Sequence, residues 1–459
     1  MTIEGFQNQV EGKQVVVIGI GVSNLPLISF LLKCGAKVTA HDKRTADELG
    51  DVYQQLVDCG VTLVLGAHYL DEVRSDAVMI FKTPGLRYDV EVLRKAAAQG
   101  IPITSEMELF FSLCPATIIG VTGSDGKTTT TSLIYDMLVR GGYTCFLGGN
   151  IGKPLIGEVQ KIKSQDVVVV ELSSFQLHTM KQSPHIAVVT NVTPNHLDWH
   201  TDLTEYIAAK KAIFLHQKTD DRTILNYDND TTRKFATETK NPVFFGRQTA
   251  PGTGYGLDGG WIVYRKDGVV TRRILDTKQI YIPGQHNIEN YMAAIAAVEG
   301  MVPDTAIQET AVHFHGVPHR IEFVREVDGV KYYNDSIASS PARTTAGLRS
   351  FSEKVILIAG GYDKKIPFDA FGTVVNAHVK ALVLCGLTAD KIRAAVEAAE
   401  NYSGLPIYQC DTFENAVLQA RNVAVPGDIV ILSPACASFD QFKNFEERGN
   451  RFKSLVQQF

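Results

Sequence analysis

The sequence predicts an α/β protein of three domains in series: a Rossmann-like N-terminal domain, a central P-loop ATPase-like domain and a C-terminal Rossmann-like α/β domain. Three observations carry this. At 459 residues the chain is longer than one hydrophobic core organises. Short apolar runs alternate with amphipathic stretches, the rhythm of a parallel sheet covered by helices. That rhythm restarts twice, at "ATIIGVTG" (116–123) and after "FHGVPHR" (314–320), giving domains at 1–112, 113–315 and 316–459.

In the first domain the strands are "QVVVIG" (14–19), "AKVTAHD" (36–42), "VTLVLG" (61–66) and "DAVMIFKTPG" (76–85), with a helical stretch at 23–34. "GIGVSN" (19–24) follows the first strand and opens a helix, and Asp42 ends the next strand. This is part of a dinucleotide fingerprint, with Asn24 where the third glycine belongs. A plain strand–helix turn explains it equally well. "KTPG" (82–85) ends another strand of the same sheet, and loops at neighbouring strand ends share one crevice. Two small, amide-rich loops facing a diphosphate is the reading, and redox use is not expected.

The second domain opens on "IIGVTGSDGKTTTTSL" (118–133). A phosphate loop ordinarily has four residues between its glycines, whereas only two separate Gly123 from Gly126. The physics survives the shortening. Both glycines permit positive φ, so backbone N–H groups can turn toward an anion. The following helix adds its positive end. Lys127 supplies a charge for the outer phosphates and Thr128 a hydroxyl for Mg²⁺. "VELSSFQL" and "TNVTPNHLDWH" (190–200) follow further strands and deliver Glu171 and His196 to the same edge. A carboxylate and an imidazole there suit a second Mg²⁺, although a lone histidine is more often structural. In "YIAAKKAIF" Lys210 reads by default as an exposed lysine on a helix stripe. In "GQHNIENYMAAIAA" (284–297), Asn287 and Asn290 lie one turn apart, where a helix cap competes with recognition of a purine edge.

The third domain carries strands in "VKYYNDS", "KVILIAGG", "ALVLCG", "LPIYQC" and "DIVILSPA". "NDSIASSP", "GGYDKK" (360–365) and "SPACASFDQFKNFEERG" (433–449) each come just after a strand. They look like loops of one active edge, whose ligand composition alone does not name.

Composition bounds the chemistry. A net charge of −5 argues against a general polyanion binder, so nucleic acid is not an expected partner and any anion site is local. The seven cysteines are scattered, odd in number and form no C-x-x-C pair, which reads as reduced core thiols. The opening "MTIEGFQNQVEGKQ" has no basic-then-apolar leader and no apolar run approaches membrane-span length. A soluble cytoplasmic protein without a membrane partner is expected, and nothing calls for an oligomer, so a monomer is expected too.

Taken together, "GSDGKT", "GGNIG", "ELSSFQL", "GQHN", "PHRIEFV", "NDSIA" and "SPACASFDQFKNFEERG" resemble one family, the Mur ligases, ATP-dependent enzymes of peptidoglycan precursor synthesis. The shortened phosphate loop is that family's own. The third-domain strings narrow the likeness to the branch that adds D-glutamate to UDP-N-acetylmuramoyl-L-alanine.

The resemblance implies roles residue by residue. Gly19, Gly21 and Ser23 would face the UDP diphosphate, Asp42, Lys43 and Arg44 the uridine, and Thr83, Pro84 and Gly85 would form the second diphosphate loop. ATP would sit on Gly123, Ser124, Asp125, Gly126, Lys127, Thr128 and Thr129, with Asn287 and Asn290 near adenine and Arg320 and Asp335 closing from the third domain. Asn150, Ser173 and His196 would face the muramoyl-alanine end. Two Mg²⁺ would involve Thr128, Glu171, His196 and Lys210, the last as a carbamylated lysine. Lys364, Ser438 and Phe445 would take D-glutamate. Lys127, Glu171, His196 and Lys210 would be the catalytic set. Two positions depart from familiar members: Asn195 stands where Asp is frequent, and Ile337 where Lys is frequent.

The implied reaction phosphorylates the alanyl carboxylate with the γ-phosphate of ATP. The amine of D-glutamate then attacks the acyl phosphate, and positioning with charge stabilisation is the protein's task. Another ligase of this type, such as a folylpolyglutamate synthase, fits the loop but not the "SPACASFDQFKNFEERG" end. A nucleotide-binding regulator without chemistry is opposed by the presence of Glu171, Lys210 and Lys364.

Overall fold

The computed structural model describes residues 1–196, 199–364 and 366–459, so Lys365 of "GGYDKK" lies outside the described residues. Among these the strands form three sheets. The first comprises β1 (Gln14–Ile18), β2 (Lys37–Asp42), β3 (Thr62–Leu65), β4 (Met79–Lys82) and β5 (Ile103–Thr104), in the order β3-β2-β1-β4-β5. All its pairs are parallel. Strand order reverses between β1 and β4, so the loops after these two strands flank the crevice where such sheets take ligands.

The second sheet holds β6 (Thr117–Thr122), β7 (Cys145–Gly149), β8 (Val167–Glu171), β9 (Ile186–Val189), β10 (Arg222–Asn226), β11 (Pro242–Gly246), β12 (Gly254–Asp258), β13 (Trp261–Lys266) and β14 (Val269–Asp276). Its order is β14-β13-β12-β11-β10-β9-β6-β8-β7, with β12, β13 and β14 antiparallel at one edge. β6 lies between β8 and β9, which brings the ends of all three strands together. The run "VVVV" of β8 is buried throughout, as a strand covered on both faces requires.

The third sheet comprises β15 (Glu322–Val327), β16 (Val330–Asn334), β17 (Val355–Ala359), β18 (Val379–Cys385), β19 (Ile407–Cys410) and β20 (Ile429–Leu432), ordered β15-β16-β20-β17-β18-β19. Only the β15–β16 pair is antiparallel among these.

The chain forms two compact units, Met1–Gln279 with Ile288–Val312, and Ile280–Asn287 with His313–Phe459. The first contains the first two sheets and the second contains the third. The change at Val312–His313 falls just before "FHGVPHR", in which His319 adopts positive φ, as does Ile321 just after it. Of the cysteines, Cys34, Cys385 and Cys436 are buried, but Cys59 is exposed and so is no core thiol. No described helix is long and apolar enough to cross a membrane.

Candidate functional site

The phosphate loop joins β6 to the helix Lys127–Arg140, with Gly126 left-handed at φ +77° as its N-cap. Both glycines are required by their surroundings. A Cβ on Gly123 would overlap Thr190 Oγ1, and one on Gly126 would overlap Asn290 Oδ1. Ser124 and Asp125 serve to brace the loop. The Ser124 amide donates to Asn191 O (2.9 Å) and the Asp125 amide to Asn191 Oδ1 (2.9 Å). Ser124 Oγ meets Tyr206 Oη and donates to Thr193 O, each at 2.9 Å. The first intrahelical bond is Thr130 N to Gly126 O, so the amides of the opening turn find no acceptor inside the helix. Thr128 lies in that turn and is 9% exposed, with Thr129 beside it.

Lys210 is not the exposed lysine of the helix pattern. It is 1% exposed on the helix Leu203–Leu215, with Nζ 2.8 Å from Gly123 O and 4.7 Å from the centre of the Tyr206 ring. The helix turns its lysine inward because Tyr206, one turn earlier, is held at Ser124. Lys127 Nζ donates to the same Gly123 carbonyl at 3.0 Å, so two ammonium groups share one oxygen. Burial first, and the nearby Lys127 charge second, hold the Lys210 amine well below the ordinary lysine range.

Glu171 ends β8 opposite Val121. It is 2% exposed; Oε1 accepts from Asn150 Nδ2 at 2.7 Å, while Oε2 is buried with no hydrogen-bond partner among the described residues. An orphaned, buried carboxylate oxygen suits a cation. Ser173 caps the short helix Ser174–Leu177 and exchanges hydrogen bonds with Gln176. His196 is exposed and left-handed at φ +54°, its ring 5.0 Å from that of Phe175, and its amide donates to Asn195 Oδ1. Asn290 accepts from Thr130 Oγ1 at 3.3 Å, while Asn287 Nδ2 donates to Pro283 O.

In the first sheet, Gly19 sits at φ +91°, and a Cβ there would come within 2.9 Å of Thr83, so the two amide-rich loops touch. Asn24 explains its place in the fingerprint: Nδ2 donates to Ile18 O (3.2 Å) and Gly19 O (2.8 Å), lashing the helix start to the strand end. Gly21 O caps that helix by accepting from the amides of Asn24 and Leu25, while Ser23 gives no side-chain cap. Asp42 accepts from Ile20 N (2.6 Å) and from Arg44, while Lys43, between Asp42 and Arg44 in sequence, is exposed. Burial raises the Asp42 carboxyl, but the Arg44 and amide hydrogen bonds outweigh it and hold the group low. Pro84 is half-buried, and Gly85 O accepts from Trp199 Nε1.

In the second unit Asp335 is buried, accepting from Ser433 Oγ (2.6 Å) and Ile321 N (3.3 Å), and burial pushes its carboxyl up to about 7 despite the nearby Arg320. Lys364 is exposed, with Nζ 3.3 Å from Ser339 Oγ. Partial burial and then the charges of Arg343 and Arg448 lower its ammonium. Ser438 is buried and its carbonyl accepts from Phe442 N; Phe445 opens the helix Phe445–Val456, its carbonyl accepting from Ser336 Oγ. Ile337, in place of a lysine, presents its carbonyl to Arg343.

Sequence reasoning missed three residues that build these loops. Asn191 holds two loop amides. Tyr206 was detectable four residues before Lys210 on the same face. Arg448 is 3% exposed, and its guanidinium ties Ser336 to the carbonyls of Cys436 and Ala437. Its only signal was an arginine inside the "FEERG" string.

Three family descriptions match the chain: a Mur ligase MurD-like N-terminal domain over residues 13–105, a Mur ligase middle domain over 121–298 and a Mur ligase glutamate ligase domain over 319–436. The chain is 53% identical to a UDP-N-acetylmuramoylalanine--D-glutamate ligase of Acetivibrio thermocellus, covering 99% of this chain and 98% of that one. It is 49% identical to the ligase of the same name from Clostridium novyi, covering 99% of each. Among solved structures, the UDP-N-acetylmuramate-alanine ligase MurC of Thermotoga maritima matches with a TM-score of 0.60 at 18% identity, over 97% of this chain and 99% of that one. The MurF ligase of the same organism matches at 0.55 and 18% identity, over 98% and 97%. Three matched domains in series, on an α/β fold shared with these structures, leave one conclusion: the chain belongs to the Mur ligase family.

Proposed function

We propose that the chain joins D-glutamate to the alanyl carboxylate of UDP-N-acetylmuramoyl-L-alanine, using ATP, in peptidoglycan precursor synthesis. The observation that carries this is 53% identity across 99% of the chain to a ligase named for that reaction. The domains are 1–112 for the UDP substrate, 113–315 for ATP and 316–459 for the amino acid. The protein acts as a cytoplasmic monomer.

A carboxylate is a poor electrophile, and it repels a triphosphate. Lys127 and the amides of the first helical turn after Gly126 hold the outer phosphates, with Thr129 beside them. Asn287 and Asn290 are proposed for adenine, and Arg320 and Asp335 for the nucleotide. The alanyl carboxylate attacks the γ-phosphorus and ADP leaves. The amine of D-glutamate then adds to the acyl carbon, and phosphate departs from the tetrahedral intermediate. Asn150, Ser173 and His196 orient the muramoyl-alanine end. The loops at Gly19, Gly21, Ser23 and Thr83–Gly85 hold the diphosphate, with Lys43 and Arg44 toward uridine. Lys364, with Ser438 and Phe445, receives the glutamate, and the cations Arg343 and Arg448 near Lys364 suit a dicarboxylate.

Thr128, Glu171, His196 and Lys210 would hold two Mg²⁺, whose charge would offset the repulsion between carboxylate and triphosphate when bound. The orphaned Glu171 Oε2 supports this. Lys210 is proposed to be carbamylated. Burial and the Lys127 charge disfavour the Lys210 ammonium and so favour the neutral amine that adds to CO₂, and the resulting carbamate places an anion beside the Lys127 cation.

The test is phosphate release with ATP and UDP-N-acetylmuramoyl-L-alanine, comparing D-Glu, L-Glu, L-Lys and no amino acid. Release that depends on D-Glu alone is expected; equal release with L-Lys, or none with any amino acid, would remove the assignment.

A further inference from the structure

Between the diphosphate loop and the phosphate loop stands a polar cluster that the roles above do not use. Arg87 follows Gly85 by two residues. Its Nη2 donates to Glu205 Oε1 at 3.0 Å and its Nη1 to Oε2 at 3.2 Å, a two-pronged pair in which the side chains are 22% and 18% exposed. Nη1 also donates to Trp199 O at 3.0 Å, and the guanidinium lies 5.1 Å from the centre of the Trp199 ring. Trp199 Nε1 returns to Gly85 O at 2.9 Å. Glu205 further accepts from Thr201 N (2.6 Å) and meets His178 Nε2 (3.1 Å). It sits on the same helix as Tyr206 and Lys210, which grip the phosphate loop.

We infer that Arg87 and Glu205 are positioning residues: their pair fixes the diphosphate loop at Gly85 to the helix that carries Lys210, and so sets where the UDP-held substrate ends relative to the phosphoryl-transfer centre. The inference rests on the proposed reaction for its kinetic consequence, though not for its effect on binding. The geometry is closed on itself, since the arginine bonds the carboxylate and the tryptophan carbonyl while the tryptophan bonds the loop from which the arginine springs. Both side chains are about four-fifths covered and the pair is two-pronged, so it is stiffer than an exposed ion pair and sensitive to losing one partner. A misplacement of about 1 Å in such a centre costs as much as a hundredfold in rate.

A metal site is the rival use of this cluster, because ligand atoms of His178, His200 and Glu205 lie within 4.8 Å of one another. Arg87 already covers both Glu205 oxygens, and a cation there would face the guanidinium. Asp89 also pairs with Arg87, so exchanging the two charges would set a new glutamate against it; removal is the cleaner probe.

The experiment compares wild type, Arg87→Ala, Glu205→Gln and the double variant. UDP-N-acetylmuramoyl-L-alanine and ADP are titrated calorimetrically into each, and turnover is measured with each substrate varied. Each single variant should weaken UDP-substrate binding and its kcat/KM by about ten- to a hundredfold while the ADP affinity stays within about twofold. The double variant should be no worse than the worse single, and Arg87→Lys should recover part of the loss. Wild-type behaviour of the singles, losses that multiply in the double, or equal loss of ADP binding would overturn the inference. Should wild type bind the UDP substrate but ignore D-Glu, the proposed reaction falls, while the titrations still decide the positioning pair.

Discussion

At the end of β6 the backbone itself forms the receptor, and a buried layer of Ser124, Thr190, Tyr206 and Lys210 holds it in place. At the ends of β16 and β20 the loops are instead made of small residues tied by one buried guanidinium, Arg448, and the loop after β17 carries the exposed Lys364. On the proposed function, the first region would bind by shape imposed on main-chain groups and the second by a side chain on a flexible stem. A triphosphate is large and needs many fixed donors; a small dicarboxylate needs few groups but the right charge. The difference teaches where each site is vulnerable. On that reading the phosphate loop would fail when its brace or the Lys127 charge is lost, and the proposed amino-acid pocket would fail in affinity for a single substrate.

The sharpest break is Lys127→Ala. One positioned charge at a phosphoryl-transfer centre carries about 3 kcal/mol or more of barrier, so turnover should fall at least a hundredfold. UDP-substrate affinity, measured by calorimetry, should stay within a few fold. Near wild-type turnover would remove the loop from the chemistry.

Lys210→Ala probes the brace and the proposed carbamate together. Turnover should fall about a hundredfold or more, and short carboxylic acids should restore part of it by supplying an oxygen anion at the vacated position. Full activity without any additive would exclude Lys210 from the mechanism. Loss without rescue, accompanied by a lowered melting temperature, would reduce it to a prop for Gly123.

What the sequence disclosed follows from the same contrast. Parallel strands buried on both faces write themselves as unbroken apolar runs, so "VVVVE" and "VILIA" were readable, as was the glycine–lysine turn between strand and helix. Lys210 was not readable from its pattern, because its inward turn depends on Tyr206 meeting Ser124, a contact 82 residues apart. The spent amides of Ser124 and Asp125 depend in the same way on Asn191, from another strand end. Arg448 was hidden because a buried arginine and a solvated one look alike in a charged string; only its carbonyl acceptors, more than ten residues away, distinguish them.

The amino-acid side is tested by Lys364→Ala. A charged partner to one carboxylate contributes about 1.5–3 kcal/mol, so KM for D-Glu should rise roughly ten- to a hundredfold while KM for ATP stays near its original value. Equal changes in both would move the pocket elsewhere, and no change in either would make Lys364 a solvated loop lysine.

The smallest expected effect comes from Asn24→Gly, which restores the glycine of the fingerprint and so asks whether the first sheet holds its ligand by backbone shape or by a side chain. Asn24 is 1% exposed, and its amide nitrogen bonds the carbonyls of Ile18 and Gly19. The variant loses both hydrogen bonds, each contributing about 1 kcal/mol net, and a glycine in the helix costs up to about 1 kcal/mol more. Against this, Asn24 Oδ1 is buried with no hydrogen-bond partner among the described residues, and its removal recovers part of the loss. A net destabilisation of about 1–2 kcal/mol follows, visible as a melting temperature lower by about 1–3 °C for a chain of this size. UDP-substrate affinity should change by less than about threefold, because Asn24 points back at its own strand and Gly19 keeps its contact with Thr83. An unchanged melting temperature with a tenfold loss of UDP-substrate binding would mean that Asn24 reads the substrate. The diphosphate loop would then resemble the amino-acid pocket in its dependence on one side chain.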